Sequence, residues 1–226
     1  MSWPLANAPV ILAAVGDHLL LSLPAILLSV VIAVPIGRLA FRAPRFGGPL
    51  LGAASLAYAI PALPLLILVP AILGTPLRSW QTMVVALTVY GVALMVRTSC
   101  DAFAAVDPQL RDAAIAIGHS RRSVFWRVEL PLAIPVLISG IRVVAVSTIS
   151  LVTIGALIGV RSLGSLLTDG FQRGIAAEIW SGVIATVLLA LLLDGLILLL
   201  GRALTPWTRR PAPASEAAPP TSAVTA

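Results

Sequence analysis

Five long apolar runs, approximately Leu19–Phe41, Leu50–Leu73, Thr82–Cys100, Pro131–Ile158 and Ile179–Gly201, constrain this chain more than any other feature. A helical crossing of a bilayer needs roughly 20 apolar residues, and each run comes close to that length or exceeds it. With 226 residues, 59% hydrophobic and 11% charged, the chain lies far outside the composition of a water-soluble domain. The expected fold is all-α, a polytopic transmembrane helical bundle of about five spans with length for a sixth, and no large soluble domain. Pro24 and Pro35 interrupt the first run, and Pro61, Pro64 and Pro70 the second. Each removes a backbone donor, so the second span is expected to be kinked or broken.

Charge sets the expected orientation. All 15 basic residues are arginine and the net charge is +6; in so apolar a chain this excess points to topology rather than to nucleic acid. Arg38, Arg42 and Arg45 follow the first run, Arg97, Arg111, Arg121, Arg122 and Arg127 lie beside or between the third and fourth, and Arg202, Arg209 and Arg210 follow the last. Arg78, Arg161 and Arg173 fall on the opposite side, and Arg142 lies inside the fourth run. The crowded side is expected in the cytoplasm of a bacterial cell, with the N-terminus outside and the C-terminus inside. Residues 1–16 lack a basic n-region, so the first run reads as a retained anchor rather than a cleaved signal. The expected division is an external segment over 1–16, a membrane body over 17–207 and a disordered cytoplasmic tail over 208–226. A single Cys100 rules out an internal disulfide, and with only His18 and His119 beside it a metal cluster is not expected. No clustered nucleophile, His or paired carboxylates mark a reaction centre, so the chain is not expected to be an enzyme.

The longest segment on the crowded side, residues 107–131, is patterned like two short helices. Asp107 can cap the first, Pro108 suits its first turn, Leu110, Ala113, Ala114 and Ile117 share one face, and Gly118 can end it. Ser120 can cap a second helix carrying Phe125 and Val128, before Leu130 and Pro131 re-enter the bilayer. Periodicity alone leaves two readings open: a helical knob that a partner pushes, or an amphipathic helix lying at the headgroup interface.

The spacing favours the first. Asp112-Ala113-Ala114, three residues, Gly118, nine residues, Val128, one residue and Leu130-Pro131 resembles the EAA motif of ABC importer permeases, with Asp112 for the usual Glu and Val128 for the usual Ile. The resemblance implies that this segment is the coupling helix, seated in a groove of a separate ATPase subunit that binds ATP and Mg, so that this chain needs no cofactor of its own. Further stretches look like the osmoprotectant branch of that family, which carries glycine betaine, carnitine and choline: His18-Leu19 with Ser22-Leu23, Ala33 to Gly37, Ile60 to Pro64, Val128 to Pro135, Gly140-Ile141-Arg142, and Asp194 followed by Thr205-Pro206. What the resemblance implies is the type I importer permease fold, ATPase subunits, a second permease copy or paralogue, and an external substrate-binding protein as partners alongside membrane lipid. Where the family usually has a glycine-rich run after the fourth span, this chain has Gly159-Val160-Arg161-Ser162-Leu163-Gly164.

Arg142 and Asp194 fall inside apolar runs, where a lone charge is costly and faces a partner, a cavity or the bundle interior. They are read as an ion pair between the fourth and fifth spans, with a place in the translocation path or snorkelling to an interface as alternatives. A quaternary ammonium group is held by aromatic faces, for which Tyr58, Tyr90, Phe171 and Trp180 are candidates; packing or an interfacial belt explains each more simply. An importer for another small solute such as methionine, and a secondary transporter needing no ATPase, are the competing functions. The second would carry proton-relay acids in several spans, and Asp194 alone is so placed.

Overall fold

The computed structural model describes residues 2–208, so the expected tail lies outside the described residues except for Thr208, as do Arg209 and Arg210. The order is α1 (Ser2–Ala6), α2 (Ala8–Arg42), α3 (Pro44–Ala59), α4 (Ala62–Leu73), α5 (Trp80–Ala104), α6 (Pro108–Ala116), α7 (Arg121–Val124), α8 (Leu130–Ile154), α9 (Leu163–Arg173) and α10 (Ala176–Leu204). A widened π-type turn, Phe125–Glu129, joins α7 to α8, and 3-10 turns lie at Gly155–Ile158 and Pro206–Thr208. Among the described residues there is no strand, as the apolar runs require.

Four stretches are long and apolar enough to cross a membrane: α2, α5, the continuous helix Arg121–Ile158, and α10. α3 and α4, bent by 106° at their break, have together the length and apolar character of a fifth crossing or of a re-entrant loop. The break falls at Ile60–Pro61, where the sequence demands it. Pro61 holds Ile60 extended at φ −66° and ψ 124°, and neither Pro61 nor Pro64 has an N–H to continue the ladder. The Tyr90 hydroxyl donates to the Ile60 carbonyl at 2.8 Å, so a neighbouring side chain satisfies a backbone group freed by the bend. Among the described residues no sixth crossing is present.

The first crossing starts earlier than hydropathy indicates. Gly16, Asp17 and His18 interrupt the apolar run, yet α2 passes through them without a break. Asp17 lies 3.7 Å from Arg161 across the end of the bundle. His18 is fully buried, its Nε2 3.1 Å from the Ile149 carbonyl. Polar side chains with partners do not stop a helix. At 1.5 Å per residue, Asp17 and Arg42 stand about 37 Å apart, so α2 carries one of these charges to each side of a roughly 30 Å hydrocarbon layer.

α5 is the most buried span, lying between α2 and α8. Close approach depends on glycine on both sides: a Cβ on Gly37 would meet Ser99 and the α5 backbone, and one on Gly140 would meet Thr98. Met95, Val96, Ala102 and Phe103 from α5 pack with Ala33, Ala133, Leu137 and Val144 into the core nearest the 107–131 loop. α10 is the least buried and turns Leu188, Leu191, Leu192 and Leu196 outward. Such a face is a liability in water and ordinary against lipid or a second subunit. At the end away from the loop, the chain that replaces the glycine-rich run turns sharply at Gly159, φ +86°, against the Arg78 guanidinium, and Ser162 then caps α9.

Candidate functional site

The 107–131 segment is built by its caps. The Asp107 carboxylate accepts the Gln109 N–H at 2.8 Å and starts α6. Gly118, at φ +92°, ends it, with the His119 N–H donating to the Ala114 carbonyl at 3.0 Å. Ser120 accepts the Ser123 N–H at 3.3 Å and starts α7. The expected second helix is not separate. α7 runs through the turn Phe125–Glu129 straight into α8 as one helix over Arg121–Ile158. Pro131 explains the widened turn: it lacks an N–H and its ring would crowd the carbonyl one turn back, and a π-type turn ahead of it opens the spiral.

α6 folds back against the start of this helix, and between them lies an open groove of about 690 Å³. Ala113 and Ala114 line one wall, Val128 and Pro131 the other, with Trp207 nearby. Ala113 and Pro131, eighteen positions apart in sequence, thus share one surface. Leu110 and Ile117, on the same α6 face, also line the groove, and Ile117 is 79% exposed. Asp112 and Gly118 are exposed but lie outside the groove, and Leu130 turns inward to the core. The motif therefore divides: four residues shape an open apolar surface, Gly118 sets the turn, and Leu130 packs.

Next to Val128 in sequence, Glu129 centres a charge cluster that sequence reading passed over. Glu129 is 3% exposed. Arg38 Nη2 donates to its Oε2 at 3.1 Å, Arg42 Nη2 to its Oε1 at 3.1 Å, and Arg111 Nε lies 3.4 Å from Oε1. The Arg38 guanidinium also lies 3.6 Å from the Phe125 ring centroid, a cation–π contact. Arg111 donates in addition to the Phe103 carbonyl at the end of α5. One carboxylate thus ties α2, α6 and the turn before α8 together, and the Arg111 contact adds α5. The sequence showed these arginines only as topology signals, and Glu129 only as part of the resemblance. The one signal that could have found them is an acidic residue immediately before Leu130-Pro131, where an unpaired carboxylate would enter the bilayer.

Arg142 and Asp194 meet. Nε donates to Oδ1 and Nη2 to Oδ2, both at 2.7 Å, a bidentate pair joining α8 to α10. The aromatic candidates do not assemble into a cage. Tyr58 and Tyr90 touch edge to face with centroids 5.4 Å apart, and the Tyr90 hydroxyl is committed to Ile60. Phe171 on α9 and Trp180 on α10 are 81% and 65% exposed.

Several apolar crossings, ion pairs that tie them together, and an open, mostly apolar groove at one end define a polytopic membrane protein. Residues 19–210 match the family described as binding-protein-dependent transport system inner membrane component. The chain belongs to that family. Its members are the membrane permeases of ABC importers, which work with separate ATPase subunits and substrate-binding proteins; the ATPase subunits hydrolyse the ATP. The osmoprotectant import permease protein OsmW of Salmonella typhimurium is 34% identical over 89% of this chain and 95% of its own length. The glycine betaine/carnitine/choline transport system permease protein OpuCB of Bacillus subtilis is 28% identical over 91% of this chain and 94% of its own. Among solved structures, a chain of the inward-facing MetNI methionine ABC transporter superposes with a TM-score of 0.78 at 22% identity, covering 91% of this chain and all of that one. At that identity the likeness is one of fold.

Proposed function

We propose that this permease carries a quaternary-ammonium compatible solute of the glycine betaine, carnitine or choline kind, and that its 107–131 loop is the seat of the ATPase. The observation that carries the coupling reading is the groove in which Ala113, Ala114, Val128 and Pro131 come together beside exposed Ile117. An apolar surface at the end of a membrane bundle suits a protein partner that enters it from solution. The cluster on Glu129 makes that surface stiff: a push on α6 reaches α2 and α8 through ion pairs rather than through a slack loop. The solute class is supported by the two relatives, an osmoprotectant permease and a glycine betaine/carnitine/choline permease, each of which covers about nine-tenths of the chain.

In this reading the arginine-rich end faces the cytoplasm, and ATP and Mg bind the partner ATPase. Closure of the ATPase pair moves the α6 surface, and the spans exchange access between the two sides. A second copy or a paralogue completes the path, and an external binding protein delivers the solute. Arg142 and Asp194 serve as a lock between α8 and α10. Methionine as the solute has only the fold likeness behind it. Uptake of labelled glycine betaine and labelled methionine by cells carrying the complete importer tests the assignment. Betaine accumulation that unlabelled methionine does not compete away is expected; the reverse pattern refutes it.

A further inference from the structure

A second groove, of about 680 Å³, runs between α2 and α8 on the outside of the bundle. Its walls are apolar along their length, with Val34 on one side and Ile134, Ile138 and Ile141 on the other. Arg38 and Arg42 lie at the end nearest the loop, with Phe125 and Trp126 beside them. From Val30 to Arg42 the α2 wall is about 18 Å long at 1.5 Å per residue, close to one leaflet of a hydrocarbon layer roughly 30 Å thick.

The charges at that end do not cancel. Arg38 and Arg42 line that end and share the single carboxylate of Glu129 with Arg111, which lies outside the groove, so the cluster as a whole carries two more positive charges than negative. The Arg42 side chain is 41% exposed and the Arg38 side chain 23%. Trp126 is exposed alongside, as aromatic residues at headgroup depth are. An apolar channel of one leaflet's length, closed by a cluster of net positive charge, is complementary to one kind of occupant.

We propose that this groove holds an anionic phospholipid, its acyl chain along Val34 and Ile138 and its phosphate on Arg38 and Arg42. Because the same arginines hold Glu129, the lipid headgroup contacts the joint between the loop and the first span. The proposal rests on the chain crossing a bilayer and is independent of which solute it carries.

Native mass spectrometry of the importer complex, exchanged into micelles containing phosphatidylglycerol or phosphatidylcholine with identical acyl chains, tests it. Selective retention of phosphatidylglycerol is expected. Arg42→Gln should reduce that retention about fivefold, the attraction of one basic residue at a membrane surface, while Arg42→Lys keeps most of it. Val34→Trp, which fills the groove and leaves the charges in place, should abolish it. Equal retention of both lipids, indifference to Arg42→Gln and Val34→Trp, or a complex that holds neither lipid because a second subunit fills the groove would overturn the proposal. Solute uptake by the same complexes reports separately on the importer reading.

Discussion

Glu129 is the residue on which the loop turns. Replacing it with Gln leaves the three arginines crowded together with no counter-charge, the situation in which removing one partner of a buried pair is most damaging. We expect a loss of about 3 kcal/mol, at the low end of that range because Arg42 remains partly solvated, read as a lowered thermal midpoint of the purified complex together with lost transport. Unchanged stability would mean that the cluster holds nothing. Arg142 and Asp194 permit a cleaner test. Either single substitution to Ala should impair the protein, whereas the exchange Arg142→Asp with Asp194→Arg should recover part of the loss if the two act as a lock. No recovery in thermal unfolding or in uptake would place one of them on the solute path instead. That these two side chains needed explanation was legible in the sequence, since each stood alone in an apolar run. Glu129 was not, because its partners come from two other elements, α2 and α6, and each arginine alone was explained by topology.

At the scale of elements, the loop is a cap-defined device. Gly118 adopts φ +92°, and a Cβ placed there meets nothing. Gly118→Asp therefore strains the backbone by about 1–2 kcal/mol without a clash, and it sets a carboxylate at the turn. We expect normal membrane insertion and abolished transport, measured by immunoblot of membranes and by uptake. Normal uptake would remove the loop from the mechanism. Gly37 shows the opposite kind of glycine. Its missing side chain lets α2 touch α5, so Gly37→Val should overpack the core by about 1–3 kcal/mol and lower the yield of folded protein; an unaffected yield would mean that the two helices can separate freely. The caps at Asp107 and Ser120 and the break before Pro61 were all legible, because each follows from local backbone chemistry. Three features were not. The run of α2 through Asp17 and His18 depends on partners at Arg161 and Ile149. The fusion of α7 with α8 depends on a turn geometry that hydropathy does not encode. The amphipathic helix α9 was missed between two long apolar runs.

For the whole molecule, the two ends of the bundle must face different compartments. Cysteines introduced at Ser120 and Arg161 in a Cys100→Ser background should react with a membrane-impermeant thiol reagent from opposite sides, Ser120→Cys from the cytoplasm and Arg161→Cys from outside. Labelling of both from one side would contradict the orientation. The number and order of spans were readable because lipid admits few solutions for backbone hydrogen bonds. The groove over Ala113 and Val128 was readable only as spacing, since the fold brings its two walls together. Coupling through that groove means that these helices move only when an outside ATPase pushes on it. Its direct measurement is solute accumulation in sealed proteoliposomes, with the permease reconstituted alone or with its ATPase and binding protein. Coupling through the loop predicts accumulation only in the complete assembly and only with ATP on the loop side; accumulation by the permease alone would contradict it.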